Sequence, residues 1–177
     1  MKIINTKFTD LKIIKSSNFV DKRGYLREIF QKKKLKKELL FHYLAKSKKN
    51  VFRGFHFQIK NQQMKLVSVL EGKILDICVD LRKNSKTFGK SFKILLSEKN
   101  KKSILIPKGF AHGYLTLDKS NLVYFKNSNY RDKTQEKGIL CEDIDLNIKL
   151  PIKNPLISQK DKLNMSLKQF LKKYKHL

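Results

Sequence analysis

The chain has no tryptophan and only two cysteines, three prolines and seven glycines in 177 residues, and it sets 15 acidic residues against 41 lysines and arginines. Each shortage excludes something. Cys78 and Cys141 stand far apart with no CxxC and no adjacent histidine, so neither a zinc module nor a disulfide framework is indicated and both are expected as free thiols. No apolar stretch approaches the roughly 20 residues that span a bilayer. The N-terminal "MKIINTKFTDLKIIKSSNF" lacks both an uninterrupted apolar core and a small-residue cleavage site. These absences predict a cytoplasmic protein with no membrane partner. No internal repeat or low-complexity linker divides the sequence, and its length suits one domain over residues 1–177.

What the chain does have is positive charge, formally +26. On composition alone that raises nucleic acid or another anion as a partner. The lysines, however, occur in "QKKKLKK", "KSKK", "SEKNKK" and "FLKKYK", at nearly every turn, rather than in one stripe interleaved with aromatics. This is a compositional bias spread over solvated faces, and no nucleic-acid partner is expected.

The dominant hydrophobic period is two. In "KILDICVDLR", Leu75, Ile77, Val79 and Leu81 face one way and Asp76, Cys78 and Asp80 the other; Glu71-Gly72 just before supplies a turn after "KLVSVL", which predicts a hairpin. Further strands are predicted at "SFKILLS", "SILIP", "GYLTLD" and "LVYFKN", at the spacing of an antiparallel sandwich or barrel. Helix signals are few. "KKKLKKELL" predicts one short helix. "SLKQFLKKYKHL" places Leu167, Phe170, Leu171 and Tyr174 at i, i+3, i+4 and i+7 behind Ser166 as N-cap, a C-terminal amphipathic helix within 162–177.

The glycines and histidines mark the places where chemistry enters. In "IPKGFAHGY", Pro107 and Gly109 make a turn and His112 follows, a P-x-G-x-x-H pattern that resembles the second motif of the cupins, small antiparallel β-barrels. Metal-binding cupins supply an H-x-H and a glutamate from their first motif, whereas this chain offers only His56-Phe57-Gln58. Two histidines without a matching carboxylate make a poor transition-metal site, so no metal is predicted. His56 sits in "VFRGFHFQ", flanked by aromatics. Alone, a histidine there reads as readily as a hydrogen-bonded core residue.

Taken together, "DKRGYLREIF", "NVFRGFHFQ", "MKLVSVLEGKILDICVDLRKNSKTFGK", "ILIPKGFAHGYLTL", "LVYFKNSNY" and "ISQKD" resemble, in order and spacing, the dTDP-4-dehydrorhamnose 3,5-epimerase family of cupins over about residues 18–161. The resemblance implies a mainly β, antiparallel jelly-roll barrel with short peripheral helices. It also implies a homodimer, with an N-terminal strand exchanged between subunits, that acts on a nucleotide-linked 4-keto-6-deoxy sugar without cofactor. A ketone at carbon 4 acidifies the hydrogens at carbons 3 and 5, so such an enzyme needs a base, an acid on the opposite face and a group to hold the enolate oxygen. By resemblance the base is His56, backed by Asp161; Tyr124 is the acid; Lys65 meets the enolate with His112 beside it. Arg53, Gln58, Tyr130, Glu136 and Lys160 are implied as substrate contacts, and Arg23 and Glu28 as contacts reaching a neighbouring subunit.

Each assignment has a plainer rival: Tyr124 as a packed core ring, Asp161 as a solvated residue of a polar tail, Cys78 as a small core filler. The chain also departs from the family. Phe41-His42-Tyr43 stands where a Gln-Asp-Asn-like run is usual, "RDKTQ" replaces a Tyr-Pro turn, and Cys141 replaces a tryptophan. Restricted epimerisation at carbon 3 or 5 alone, another nucleotide sugar, and a non-catalytic cupin binding an anionic ligand or nucleic acid therefore stand as alternatives.

Overall fold

The alternating pattern becomes strands along most of the chain. The computed structural model describes residues 1–177. Its strands in chain order are β1 (Lys2–Asn5), β2 (Lys12–Lys15), β3 (Asn18–Asp21), β4 (Gly24–Arg27), β5 (Phe41–Lys48), β6 (Phe52–Gln58), β7 (Lys65–Glu71), β8 (Lys73–Asp80), β9 (Ser91–Ser97), β10 (Lys102–Ile106), β11 (Phe110–Thr116), β12 (Ser120–Asn127) and β13 (Glu136–Gly138). The helices are α1 (Lys32–Leu35), α2 (Gln159–Lys162) and α3 (Leu167–Tyr174). One antiparallel sheet runs β1-β2-β10-β7-β12-β5 and a second β13-β6-β11-β8-β9, with β3 and β4 as a separate hairpin. This is the jelly-roll barrel that the sequence predicted.

One connection differs from that reading. β7 and β8 do not pair: β7 lies between β10 and β12, and β8 between β11 and β9. Glu71-Gly72 is therefore a corner between sheets and not a hairpin turn. Gly72 makes the corner at φ +80°, where a Cβ would stand 2.2 Å from the Ser120 carbonyl oxygen. Both faces of β8 are consequently buried. Ile74 and Cys78 face the barrel interior, packing with Val67, Val69, Val123 and Phe125. Ile77 and Val79 face outward beneath Phe52, Phe55, Phe57 and the C-terminal segment. The apolar alternate of β8 thus builds the outer layer, and the alternate containing Asp76 lines the interior.

The helices are shorter than predicted. α1 stops after four residues: no side chain caps its start, its first turn holds no acidic residue to meet the helix dipole, and Lys36 turns out at φ +50°. α3 begins where Ser166 caps it, in a capping box completed by Gln169. Leu167 and Phe170 dock it onto the outer face of the second sheet. Each fully buried side chain of this size contributes about 1.5–3 kcal/mol, enough to hold an eight-residue helix that would not persist alone.

The local event that matters most for the site is a bulge in β6. His112 pairs with His56, but Tyr114 pairs with Arg53, so three steps on β6 match two on β11. Strict alternation would put Arg53 and His56 on opposite faces; the extra residue brings both to the interior while Phe52, Phe55 and Phe57 stay in the outer layer. Gly54 sits in the bulge at φ +125°, and a Cβ there would stand 2.5 Å from the Gly113 Cα and 2.7 Å from the His112 carbonyl oxygen. Gly54→Ala is therefore expected to cost about 2–3 kcal/mol or more, read as a lower midpoint in urea unfolding, because backbone on the neighbouring strand has to move. An unchanged midpoint would mean that the bulge is not held this tightly.

Candidate active site

Between the two sheets lies a cavity of about 910 Å³, whose walls carry His56, Lys65, His112, Tyr43, Arg53 and Asp161 among others. His56 is brought inward by the bulge, and its Nε2 lies 2.7 Å from Asp161 Oδ1. Asp161 comes from α2, where Ser158 caps the helix and accepts the Asp161 N–H. Its second oxygen accepts the Gly54 N–H at 3.2 Å. Burial works to raise the Asp161 carboxyl, but the hydrogen bond and charge of His56, the Gly54 N–H and Lys160 outweigh it, leaving its pKa below the ordinary value. The pair is thus a partly open imidazole backed by a buried, ionised carboxylate, the arrangement that fixes a histidine tautomer and stabilises its protonated form.

A second histidine–carboxylate pair stands beside it. His112 Nε2 lies 2.8 Å from Asp76 Oδ2, both deeply buried. Sequence reasoning missed the role of Asp76, although the alternation already set it on the face of β8 opposite the apolar residues. Lys65 is buried nearby on β7. Burial pushes its ammonium pKa down, while Glu136, Cys78 and Asp76 oppose that shift. Asp76, Cys78 and His112 bring ligand atoms within 4.8 Å of one another. Burial and Asp76 push the Cys78 thiol well up, and its sulfur donates to Asp76 Oδ1 at 3.6 Å. A thiol kept protonated beside a lysine suits a hydrogen-bond network better than a metal centre.

At the mouth, Glu136 accepts Arg131 Nε at 2.5 Å and is also bonded to the Lys160 ammonium. Burial alone would raise its carboxyl, but these partners and His56 bring its pKa down to about 2. The sequence predicted Glu136 and Lys160; it did not single out Arg131, which lies in the "RDKTQ" loop read only as a departure. Arg53 lines the cavity and donates Nε to Ser47 Oγ at 3.0 Å, leaving the rest of its guanidinium for an anion.

Two predicted residues are corrected. Tyr124 does not face the cavity. It shares the outward face of β12 with Leu122 and Lys126, and its hydroxyl lies 3.3 Å from His42 Nδ1. Alternation explains the miss, since one step along a strand reverses the face, and the inward position is Phe125. Gln58 does not line the cavity either. Its Nε2 donates to the Asn61 carbonyl at 2.9 Å and its Oε1 accepts the Asp132 N–H at 2.8 Å, so its amide holds the loop leading to β13. Tyr130 is 70% exposed and packs against Phe41 at the cavity edge, 5.8 Å between ring centres. Arg23 pairs with Asp21 on the β3–β4 hairpin, and Glu28 accepts from Gln31; neither lines this chain's cavity.

The sequence and fold are similar to those of known proteins. The family model described as dTDP-4-dehydrorhamnose 3,5-epimerase matches residues 5–169. The dTDP-4-dehydrorhamnose 3,5-epimerase of Shigella flexneri is 41% identical over 91% of this chain and 93% of its own length. The crystal structure of dTDP-4-dehydrorhamnose 3,5-epimerase from Elizabethkingia anophelis NUHP1 superposes with a TM-score of 0.90 at 36% identity, covering 96% of this chain and 97% of that one. That of dTDP-6-deoxy-D-glucose-3,5-epimerase from Legionella pneumophila Philadelphia 1, in complex with dTDP-4-keto-L-rhamnose, does so with 0.91 at 36%, covering 94% and 93%. A jelly-roll barrel with a buried carboxylate behind an inward histidine, matched to these relatives over nearly its whole length, belongs to the dTDP-4-dehydrorhamnose 3,5-epimerase family and is an isomerase.

Proposed function

We propose that this chain converts dTDP-4-dehydro-6-deoxy-D-glucose to dTDP-4-dehydro-L-rhamnose by moving protons at carbons 3 and 5. The observation that carries the proposal is the His56–Asp161 pair, set into a cavity that also holds Lys65 and the His112–Asp76 pair. His56 takes a proton from the carbon beside the ketone, and Asp161 stabilises the imidazolium that results. Charge then develops on the carbon-4 oxygen, where the Lys65 ammonium and His112 provide electrostatic stabilisation. Because every step is a proton transfer, the cycle consumes no redox equivalent and requires no cofactor. Arg53, Arg131 and Lys160 supply cations at the mouth for a diphosphate. The dTDP-4-keto-L-rhamnose bound in the Legionella relative supports the same ligand class here.

A homodimer is part of this reading. The β3–β4 hairpin leaves Phe19, Val20 and Leu26 more than 60% exposed, an apolar face that a second subunit would cover. Arg23 and Glu28, outside this chain's cavity, would then serve the neighbour's. No helix is long and apolar enough to cross a membrane. Cys78 and Cys141 are free and buried, which fits the expected cytoplasmic setting.

The direct test is incubation with dTDP-4-dehydro-6-deoxy-D-glucose and analysis of the sugar. Inversion at both carbons is expected; an unchanged sugar contradicts the proposal. The lysine excess has its own check. Lys33, Lys34 and Lys36 are exposed and line no part of the cavity. Changing all three to glutamine should leave kcat/KM within about twofold, since surface substitutions of this kind rarely matter. A large loss would mean that α1 contacts substrate and that the charge is not merely a solvated bias.

A further inference from the structure

We propose that Tyr43 is the residue that returns a proton to the sugar on the face opposite His56. The inference rests on the epimerase reading above and adds a residue to it. Inversion needs a second proton donor, because a base that deprotonates and reprotonates from one side regenerates the starting configuration. Tyr124 cannot serve from the outward face of β12, and the inward residue there, Phe125, has no proton to give.

Tyr43 lies directly across from Phe125 in the β5–β12 ladder, and the two rings stack at 4.7 Å and 10°. Its phenol therefore stands on the first sheet, on the wall facing the one that carries His56, and both residues line the same cavity. Glu136 lines the same cavity between them: the charge of His56 acts on Glu136, and Glu136 acts on Tyr43.

Other hydroxyls fit less well. Tyr114 also lines the cavity, but it stands on β11, in the same sheet as His56, and is only 3% exposed. Tyr43, at 37%, is open to a ligand. Beside it Asn127, fully buried on the inward face of β12, is the amide that acts on the Tyr43 hydroxyl. Burial, reinforced by Tyr114 and Glu136, pushes the Tyr43 hydroxyl up to about 12 against the pull of Arg131 and Asn127. The hydroxyl therefore carries its proton at neutral pH.

The proton balance closes. His56 removes the carbon-bound proton, the electron pair passes to the carbon-4 oxygen, and collapse of the enolate takes the Tyr43 proton onto the opposite face of the same carbon. Water then reprotonates the phenolate, and the imidazolium returns its proton to water.

The test follows both events in one sample of substrate in deuterium oxide. Tyr43→Phe keeps the stack on Phe125. It is expected to retain dTDP affinity and washing-in of deuterium within about threefold while net inversion falls about 100-fold or more. The double variant Tyr43→Phe/Phe125→Tyr restores a phenol to this wall and is expected to regain at least about tenfold of the lost inversion. Inversion at the wild-type rate in Tyr43→Phe overturns the assignment. So does loss of deuterium exchange together with inversion, a double variant no better than the single one, or uncoupling produced by Tyr124→Phe instead. If the unaltered protein exchanges no deuterium, the epimerase reading itself fails, which is a different result from any of these.

Discussion

His56→Asn is expected to abolish deuterium exchange at carbons 3 and 5 together, lowering kcat by about 1,000-fold or more, while dTDP still binds. The expectation follows from position. His56 is the only cavity imidazole with an open flank, since His112 is buried beside Asp76. A single base in front of the sugar serves both carbons, so the two exchanges should disappear as one. Asparagine is too short to reach Asp161 as histidine does. The carboxylate still keeps the Gly54 N–H at 3.2 Å, and the loss of one partner should cost about 1–3 kcal/mol. That is affordable for a domain with two extensive apolar clusters. Separate loss at one carbon would mean that another group deprotonates the other.

Asp161→Asn should be almost as damaging to turnover, with kcat lower by about 1,000-fold or more. The shape is unchanged, but an amide cannot stabilise an imidazolium and presents an N–H that favours the wrong histidine tautomer. The substitution also changes the response to acid. The Asp161 pKa is lowered in the folded protein. Its contribution to stability is therefore fully present above the unfolded carboxyl value of about 3.9 and is lost as pH falls through the lower folded value. The stability difference between wild type and Asp161→Asn should accordingly narrow as the solution is taken from about pH 6 to below about pH 3. A difference that widens toward acid would contradict an ionised Asp161.

The catalytic pair was legible in the sequence only through motif order, because His56 and Asp161 are separated by most of the chain and nothing local predicts their contact. The strands were legible from their alternation, yet alternation misled twice. At Glu71-Gly72 the apolar runs on either side suggested partners, but both faces of β8 are buried, and a strand buried on two sides can turn into the opposite sheet instead of folding back. At "LVYF" the motif was assigned one residue early, which in a strand exchanges an inward ring for an outward one. The bulge at Gly54 was hidden for the opposite reason. Only its pairing with β11 reveals the extra residue that lets Arg53 and His56 share a face. Tyr43 appeared in the sequence as a departure from the expected polar run, and its stack on Phe125 depends on a ladder between β5 and β12 that no short-range pattern encodes.

The most direct measurement is proton NMR of dTDP-4-dehydro-6-deoxy-D-glucose with the unaltered enzyme in deuterium oxide. The signals of the hydrogens at carbons 3 and 5 should both vanish as dTDP-4-dehydro-L-rhamnose appears, with deuterium at each carbon. Exchange confined to one carbon, or a spectrum that does not change, would contradict a 3,5-epimerase built around His56.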